Sequence, residues 1–176
     1  MLEAAISAYA RTKHFSPATL GRWLGCAPAD QEALLSIAES LRLGENQFRD
    51  VFDQAREIAA RRQCAIAEVL GTAPIRDVLG RGLGRNEAVR ALKQAMRRLR
   101  YPQLAATEAR LAGMAKALGL PPGVEVYFPE NLEGEEVSVH LRANSAAQLR
   151  ERVERLTTVM RRAEVDEIFR LLEGDW

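Results

Sequence analysis

The second half of the chain contains the segment LGLPPGVEVYFPENLEGEEVSVHLRANSAAQLRERVERL (118–156), which carries the clearest signals of secondary structure. Two segments in it, VEVYF (124–128) and VSVHL (137–141), alternate apolar and other residues with the period of two that is typical of half-buried strands. A Pro-Pro-Gly turn at 121–123 precedes the first segment, and an amphipathic helical pattern follows the second. The stretch therefore predicts a hairpin with a helix on either side.

Helical spacing governs the sequence before this stretch. Ser16 followed by Pro17 is a start signal for a helix, and Gly25 ends it. Similar signals predict further helices near the N-terminus, after Pro28, from Glu45 or Asn46 and in CAIAEVLG (64–71). The expected fold class is mainly α with a small α+β unit.

Three regions are predicted from these patterns. Residues 1–73 form a helical bundle with a helix-turn-helix-like segment, and 74–85, which contains Pro74 and GRGLGR, forms a Gly/Pro linker. Residues 86–176 form the α-β-β-α unit with C-terminal helices, and Asn86 is expected to cap the first of these helices.

Composition limits the function classes. The chain has 176 residues, of which 47% are hydrophobic and 28% charged, and its net charge of +1 gives no overall attraction to nucleic acid or membranes. The sequence has no apolar run of membrane-spanning length, so we expect a cytoplasmic protein without membrane partners. Cys26 and Cys64 lack metal-ligand spacing, and the two histidines, His14 and His140, accompany no catalytic motif. We therefore expect neither an enzyme, nor a metal, nor a cofactor.

A helix-turn-helix pattern runs from Leu34 to Gln54. Every packing position carries an apolar or small residue, namely Leu34, Ile37, Ala38, Leu41, Leu43, Phe48 and Val51. The turn position that is usually Gly is Arg42. On the second helix, Asn46, Gln47 and Arg49 are candidates for reading bases, although nearby acidic residues oppose phosphate binding. A three-helix core that merely resembles the motif is the alternative.

The strongest charge feature is the concentration of eight Lys or Arg residues in the segment from Arg76 to Arg100. At 100° per residue, Arg90, Lys93 and Arg97 share one helix face. The candidate phosphate contacts are Arg85, Arg90, Lys93, Arg97, Arg98 and Arg100. A solvated face that pairs with carboxylates accounts for the same pattern equally well.

The helix after the hairpin carries one narrow apolar seam. This seam consists of Leu149, Val153, Leu156 and Met160 and is flanked by charged residues. Because a two-stranded hairpin is marginal in water, the seam is expected either to pair two chains as a homodimer or to pack on the hairpin of its own chain.

Parts of the chain resemble the helical middle and C-terminal region of ParB-like chromosome-partitioning proteins. The resemblance is carried by LRLGENQFRDVFDQAREIAARRQCAIAEVL (41–70), RRLRYPQL (97–104) and LGLPPGVEVYF (118–128). It covers most of 34–156 and lacks the N-terminal ParB domain and its arginine-rich nucleotide motif. The resemblance implies a DNA-associated or dimerising module without nucleotide hydrolysis.

The functional expectation is a non-enzymatic, DNA-associated module, partition-like or regulatory, that acts as a dimer. The alternative is a protein-interaction or scaffold module in which the basic face meets an acidic partner.

Overall fold

A computed structural model describes residues 1–134 and 136–173 of the chain. The fold is mainly helical, with one small antiparallel sheet. The helices are α1 (Leu2–Thr12), α2 (Pro17–Leu24), α3 (Pro28–Leu41), α4 (Glu45–Arg62), α5 (Ile66–Leu70), α6 (Ala73–Gly80), α7 (Arg85–Arg100), α8 (Pro102–Ala117), α9 (Ala146–Met160) and α10 (Ala163–Leu172). The strands are β1 (Val124–Tyr127) and β2 (Ser138–Leu141), and a short 3-10 turn, Glu130–Leu132, lies between them. The predicted fold class is confirmed.

The chain divides into two compact units, Met1–Tyr101 and Pro102–Trp176. The boundary thus lies at the Tyr101–Pro102 peptide and not in the predicted linker 74–85. Proline disfavours helical backbone at the residue before it, and Tyr101 accordingly has φ −127° and ψ 68°. The predicted bundle 1–73 extends to residue 101, and α7 belongs to it.

The linker prediction was wrong for residues 74–80. These residues lie in α6, where Pro74 occupies the first turn, a position at which proline needs no amide donor. Ile75 and Val78 are buried in the core of the first unit. The connection to α7 is only 81–84, and Gly84, not Asn86, is the N-cap of α7.

The first unit is built around a cluster of aromatic rings. Trp23 of α2 packs on Phe48 of α4 with 4.4 Å between ring centroids, and Tyr9 of α1 meets Trp23 edge-on at 6.2 Å. Trp23 and Phe48 are fully buried. These few large side chains join three helices, while Leu, Ile, Val and Ala complete the core.

Two polar side chains, the buried Gln31 and the half-buried Asp30, fix the connections between helices. The Gln31 amide donates to the carbonyl oxygens of Leu24 at 2.8 Å and Cys26 at 3.0 Å, so it holds the end of α2. Asp30 accepts from the backbone N–H of Ala67 at 2.7 Å and so holds the start of α5.

The second unit contains the predicted hairpin. β1 pairs with β2 in antiparallel register, with Val124 opposite Leu141 and Val126 opposite Val139. Gly123, with φ +83°, makes the turn into β1, where a side chain would collide with Arg152. Arg152 of α9 donates to the carbonyl oxygen of Arg142 and thereby ties the hairpin to the helix.

The core of the second unit is small. Leu111, Leu118, Ile168 and Leu171 are buried together. Val139 was expected on the buried face of the hairpin but is 39% exposed. Two strands cover less surface than a larger sheet would, which leaves this position open to solvent.

Candidate nucleic-acid interface

Helices α3 and α4, which follow each other in the first unit, are the two helices of the predicted helix-turn-helix. They are joined by residues 42–44, and every apolar packing position predicted for the motif is buried. Arg42 replaces the usual Gly and adopts the left-handed conformation, with φ 49° and ψ 46°. The packing part of the prediction is confirmed, and it says nothing by itself about DNA.

Two long-range hydrogen-bond donors hold the turn. The Tyr9 hydroxyl donates to the carbonyl oxygens of Ala38 at 2.6 Å and Leu43 at 2.9 Å. From the other side, the Arg85 guanidinium donates to the carbonyl oxygens of Leu41 at 3.2 Å and Arg42 at 3.1 Å. The turn therefore depends on α1 and α7 as well as on its own sequence.

Arg85, a candidate phosphate contact, thus has several partners within the protein. Its Nη2 also donates to Gln47 Oε1 at 3.2 Å, and Gln47 Oε1 accepts from the N–H of Gly44 at the start of α4. Both candidate side chains serve the helix-turn-helix. DNA contacts by Arg85 or Gln47 would compete with these bonds.

The N-terminal end of α4 carries a second internal network. The Glu45 carboxylate accepts from the Ser16 N–H at 3.1 Å, from the Ser16 hydroxyl at 2.5 Å and from the Thr19 hydroxyl at 2.6 Å. The hydrogen bond from the Ser16 side chain, followed by that from Thr19, lowers the pKa of Glu45. Glu45 therefore joins the starts of α2 and α4.

The outer face of α4 is mixed in charge. Asn46 and Arg49 are exposed, as predicted, but Asp50 and Asp53 are exposed on the same helix. Asp53 forms an ion pair with Arg22. Two carboxylates on the helix that would enter a DNA groove oppose the approach of phosphates.

The remaining predicted basic residues lie on α7. Lys93 forms an ion pair with Asp50 at 2.7 Å, and Arg100 forms one with Glu57 at 2.6 Å. Arg90 and Arg98 are exposed, while Arg97 is half-buried. The pairing with carboxylates that the sequence offered as an alternative is therefore present for Lys93 and Arg100.

A groove of about 560 Å³ runs along α7 and brings most of these residues together. This basic groove is lined by four cations, Arg90, Lys93, Arg97 and Arg100, by the amides Gln54, Asn86 and Gln94, and by Val89 and Tyr101. Arg98 does not line the groove, although it lies on the same helix. Cations and amides together are suited to a ligand that carries both negative charge and hydrogen-bonding edges.

An aromatic group at the end of the basic groove was not predicted from the sequence. Tyr101 is 39% exposed. The guanidinium carbon of Arg100 lies 5.0 Å from its ring centroid and that of Arg61 lies 5.9 Å away. In the sequence Tyr101 marked only the end of a helix, and the adjacent Arg100 was the one available signal of a cation–ring cluster.

The α9 seam lies in the second unit and is only partly covered. Leu149 and Val153 are 45% and 46% exposed, while Leu156 and Met160 are half-buried. Val159 is the buried residue of α9. Of the two expectations for the seam, packing within one chain accounts for its C-terminal half only.

Other chemistry is sparse. Cys26 and Cys64 are half-buried free thiols. Across residues 1–134 and 136–173, no group of three or more His, Cys, Asp and Glu side chains is placed to hold a metal ion. Within the same residues, no helix is long and apolar enough to cross a membrane.

Comparisons with models of protein families, with curated proteins and with solved structures give no match to this chain.

Proposed function

We propose that this chain is a non-enzymatic, DNA-associated module, partition-like or regulatory, that acts as a dimer in the cytoplasm. The observation that supports it is the basic groove, where four cations converge along one helix. Phosphate neutralisation by Lys and Arg supplies most of the sequence-independent affinity for nucleic acid.

The geometry favours the basic groove over α4 as the contact surface. Gln47 is held by Arg85, and Asp50 and Asp53 are exposed on α4. In the groove, Arg90 is exposed and the amide of Asn86 lies in the same lining. The described residues that line the groove include no carboxylate, although Lys93 and Arg100 each pair with a carboxylate of α4.

The dimer is supported by the exposure of α9. This helix of 15 residues extends roughly 22 Å, yet Val159 is its buried position. Isolated helices of this length are marginally stable in water, so a helix of this kind gains stability from a partner along its apolar seam. A second copy of the same chain presents the same seam and completes the contact.

The alternative function is a protein-interaction or scaffold module, in which the basic groove receives an acidic partner. The ion pairs of Lys93 with Asp50 and of Arg100 with Glu57 favour this alternative, because these two cations already bind carboxylates.

DNA binding at two salt concentrations separates the two functions. Fluorescence anisotropy with labelled DNA, at about 50 and 200 mM salt, should show binding that weakens steeply with salt. Changing Arg90, Lys93 and Arg97 to Ala should weaken that binding similarly on all sequences. If no salt-sensitive DNA binding is seen at micromolar protein, DNA association is excluded and the protein-interaction function is favoured. Unchanged binding by the triple variant would move the contact to Asn46, Gln47 and Arg49.

A further inference from the structure

The shape and lining of the basic groove are more specific than general DNA association requires. Helix-turn-helix proteins insert a protruding helix into a duplex groove. Here the cations line an open groove of about 560 Å³ and not a protruding surface. A duplex presents its phosphates on the outside of a wide cylinder, whereas a single strand can enter a concave groove.

The groove also contains groups that phosphate binding does not need. Gln54, Asn86 and Gln94 offer amide donors and acceptors, which are complementary to the edges of nucleobases. Those edges are accessible to such a groove only when the bases are unpaired.

Tyr101 supplies a stacking group at one end. Tyr101 is 39% exposed, and the guanidinium carbons of Arg100 and Arg61 lie within 6 Å of its ring centroid. Aromatic rings and guanidinium planes are the surfaces on which proteins stack unpaired bases. Four residues earlier, Arg97 lies about 6 Å along the helix axis, so a cation for the phosphate lies next to the platform for the base.

From this combination we propose that the basic groove binds an unpaired nucleic-acid strand, with phosphates along Arg90, Lys93 and Arg97 and a base stacked at Tyr101. The inference rests on the proposed DNA association and names the form of nucleic acid that the groove takes. Duplex contacts elsewhere on the chain are a separate property.

The test compares a labelled single strand of about 12 nucleotides with a duplex of the same length, at low salt. The single strand should bind more tightly to the native chain. Tyr101→Ala should weaken single-strand binding about tenfold, because one stacked base is lost, and should change duplex binding less than about twofold. Tyr101→Phe keeps the ring and should bind like the native chain.

Two further measurements keep the outcomes distinct. Tyr101→Leu retains an apolar side chain at the helix end and should lose single-strand binding as Tyr101→Ala does, which guards against poor folding of the smaller variant. A competing mononucleotide in excess should displace the strand only weakly, because it offers a single phosphate to three cations.

Single-strand binding that survives Tyr101→Leu, or a duplex that binds more tightly than the single strand, would overturn the inference. In either case, binding that still depends on Arg90, Lys93 and Arg97 would leave the proposed DNA association in place. Displacement of the strand by the mononucleotide at equal concentration would also overturn it, since the site would then be one for free nucleotides.

Discussion

The Arg85 guanidinium donates from Nε to the carbonyl oxygen of Leu41 at 3.2 Å, across 44 residues of sequence. Leu41 is the last residue of α3, so its carbonyl has no partner within that helix. Arg85 therefore serves the helix-turn-helix as a cap supplied by α7.

Replacing Arg85 by Ala should lower the free energy of unfolding by about 1 kcal/mol. The change removes bonds to the carbonyls of Leu41 and Arg42, and partial exposure lets water replace them in part. Urea unfolding measures the effect. Arg81→Ala, a change at an exposed arginine just before α7, is the control and should stay within about 0.5 kcal/mol. Equal effects of the two changes would show that Arg85 is not a cap.

Replacing Arg42 by Gly should raise the free energy of unfolding by about 1 kcal/mol. Arg42 has φ 49°, a conformation that Gly adopts without the steric cost of a Cβ atom. The backbone carbonyl that accepts from Arg85 is retained. Arg42→Ala keeps the strain and should give no gain, so a similar gain with Ala would locate the effect in the side chain instead.

Features that depend on residues close together in the sequence could be predicted, whereas those that depend on tertiary contacts could not. Helix starts such as Ser16-Pro17, and the positions of the two strands, depend on neighbouring residues, and the structure places both close to where they were expected. The expected burial of Val139 depends on what packs against the hairpin, and it was not found. Pro74 was misleading because proline is equally common in loops and in the first turn of a helix. The burial of Ile75 decides between these two, and burial is a tertiary property.

The candidate site shows the same limit. The alignment of Arg90, Lys93 and Arg97 on one face follows from helix geometry alone, and all three line the basic groove. The role of Arg85 could not be predicted, because it depends on where the end of α3 lies in space. Tyr101 was missed as a site residue for a similar reason, since Arg61 reaches it from another helix.

The network at Glu45 predicts a specific dependence of stability on pH. Hydrogen bonds from Ser16 and Thr19 lower the pKa of Glu45 in the folded chain below its unfolded value. The stabilisation is therefore complete above the unfolded pKa, which is about 4.3 for glutamate, and is lost as the pH falls through the folded value.

The variant Glu45→Gln should accordingly be less stable than the native chain at neutral pH, and the difference should shrink as the pH drops below about 4. Denaturant unfolding at several pH values measures it. Glu32→Gln, at an exposed position of α3, is the control and should show no comparable convergence. A difference that stays constant down to the acid limit would contradict the assignment.

The apolar seam of α9 predicts that the chain forms a homodimer in solution. Val153 is 46% exposed, so Val153→Asp places a charge in the seam with little effect on the core of the second unit. Sedimentation equilibrium at tens of micromolar should report a native dimer and a folded monomeric variant. Arg150→Asp, on the same helix outside the seam, should remain a dimer. A native chain that sediments as a monomer ends the dimer proposal.

A matched pair of arginines on α7 tests whether the basic groove binds nucleic acid. Arg90 and Arg98 are both exposed on this helix, but of the two only Arg90 lines the groove. Each substitution by Ala removes one positive charge, so any general effect of net charge is the same in both variants.

The measurement is the slope of log Kd against log salt for single-stranded DNA, between about 50 and 200 mM, with the native chain and both variants. We expect Arg90→Ala to reduce the magnitude of the slope by about 0.7, the value for one phosphate contact on a single strand, and Arg98→Ala to leave it unchanged. If the two variants have equal slopes, or if Arg98→Ala reduces the magnitude of the slope more than Arg90→Ala does, nucleic acid does not bind in the basic groove.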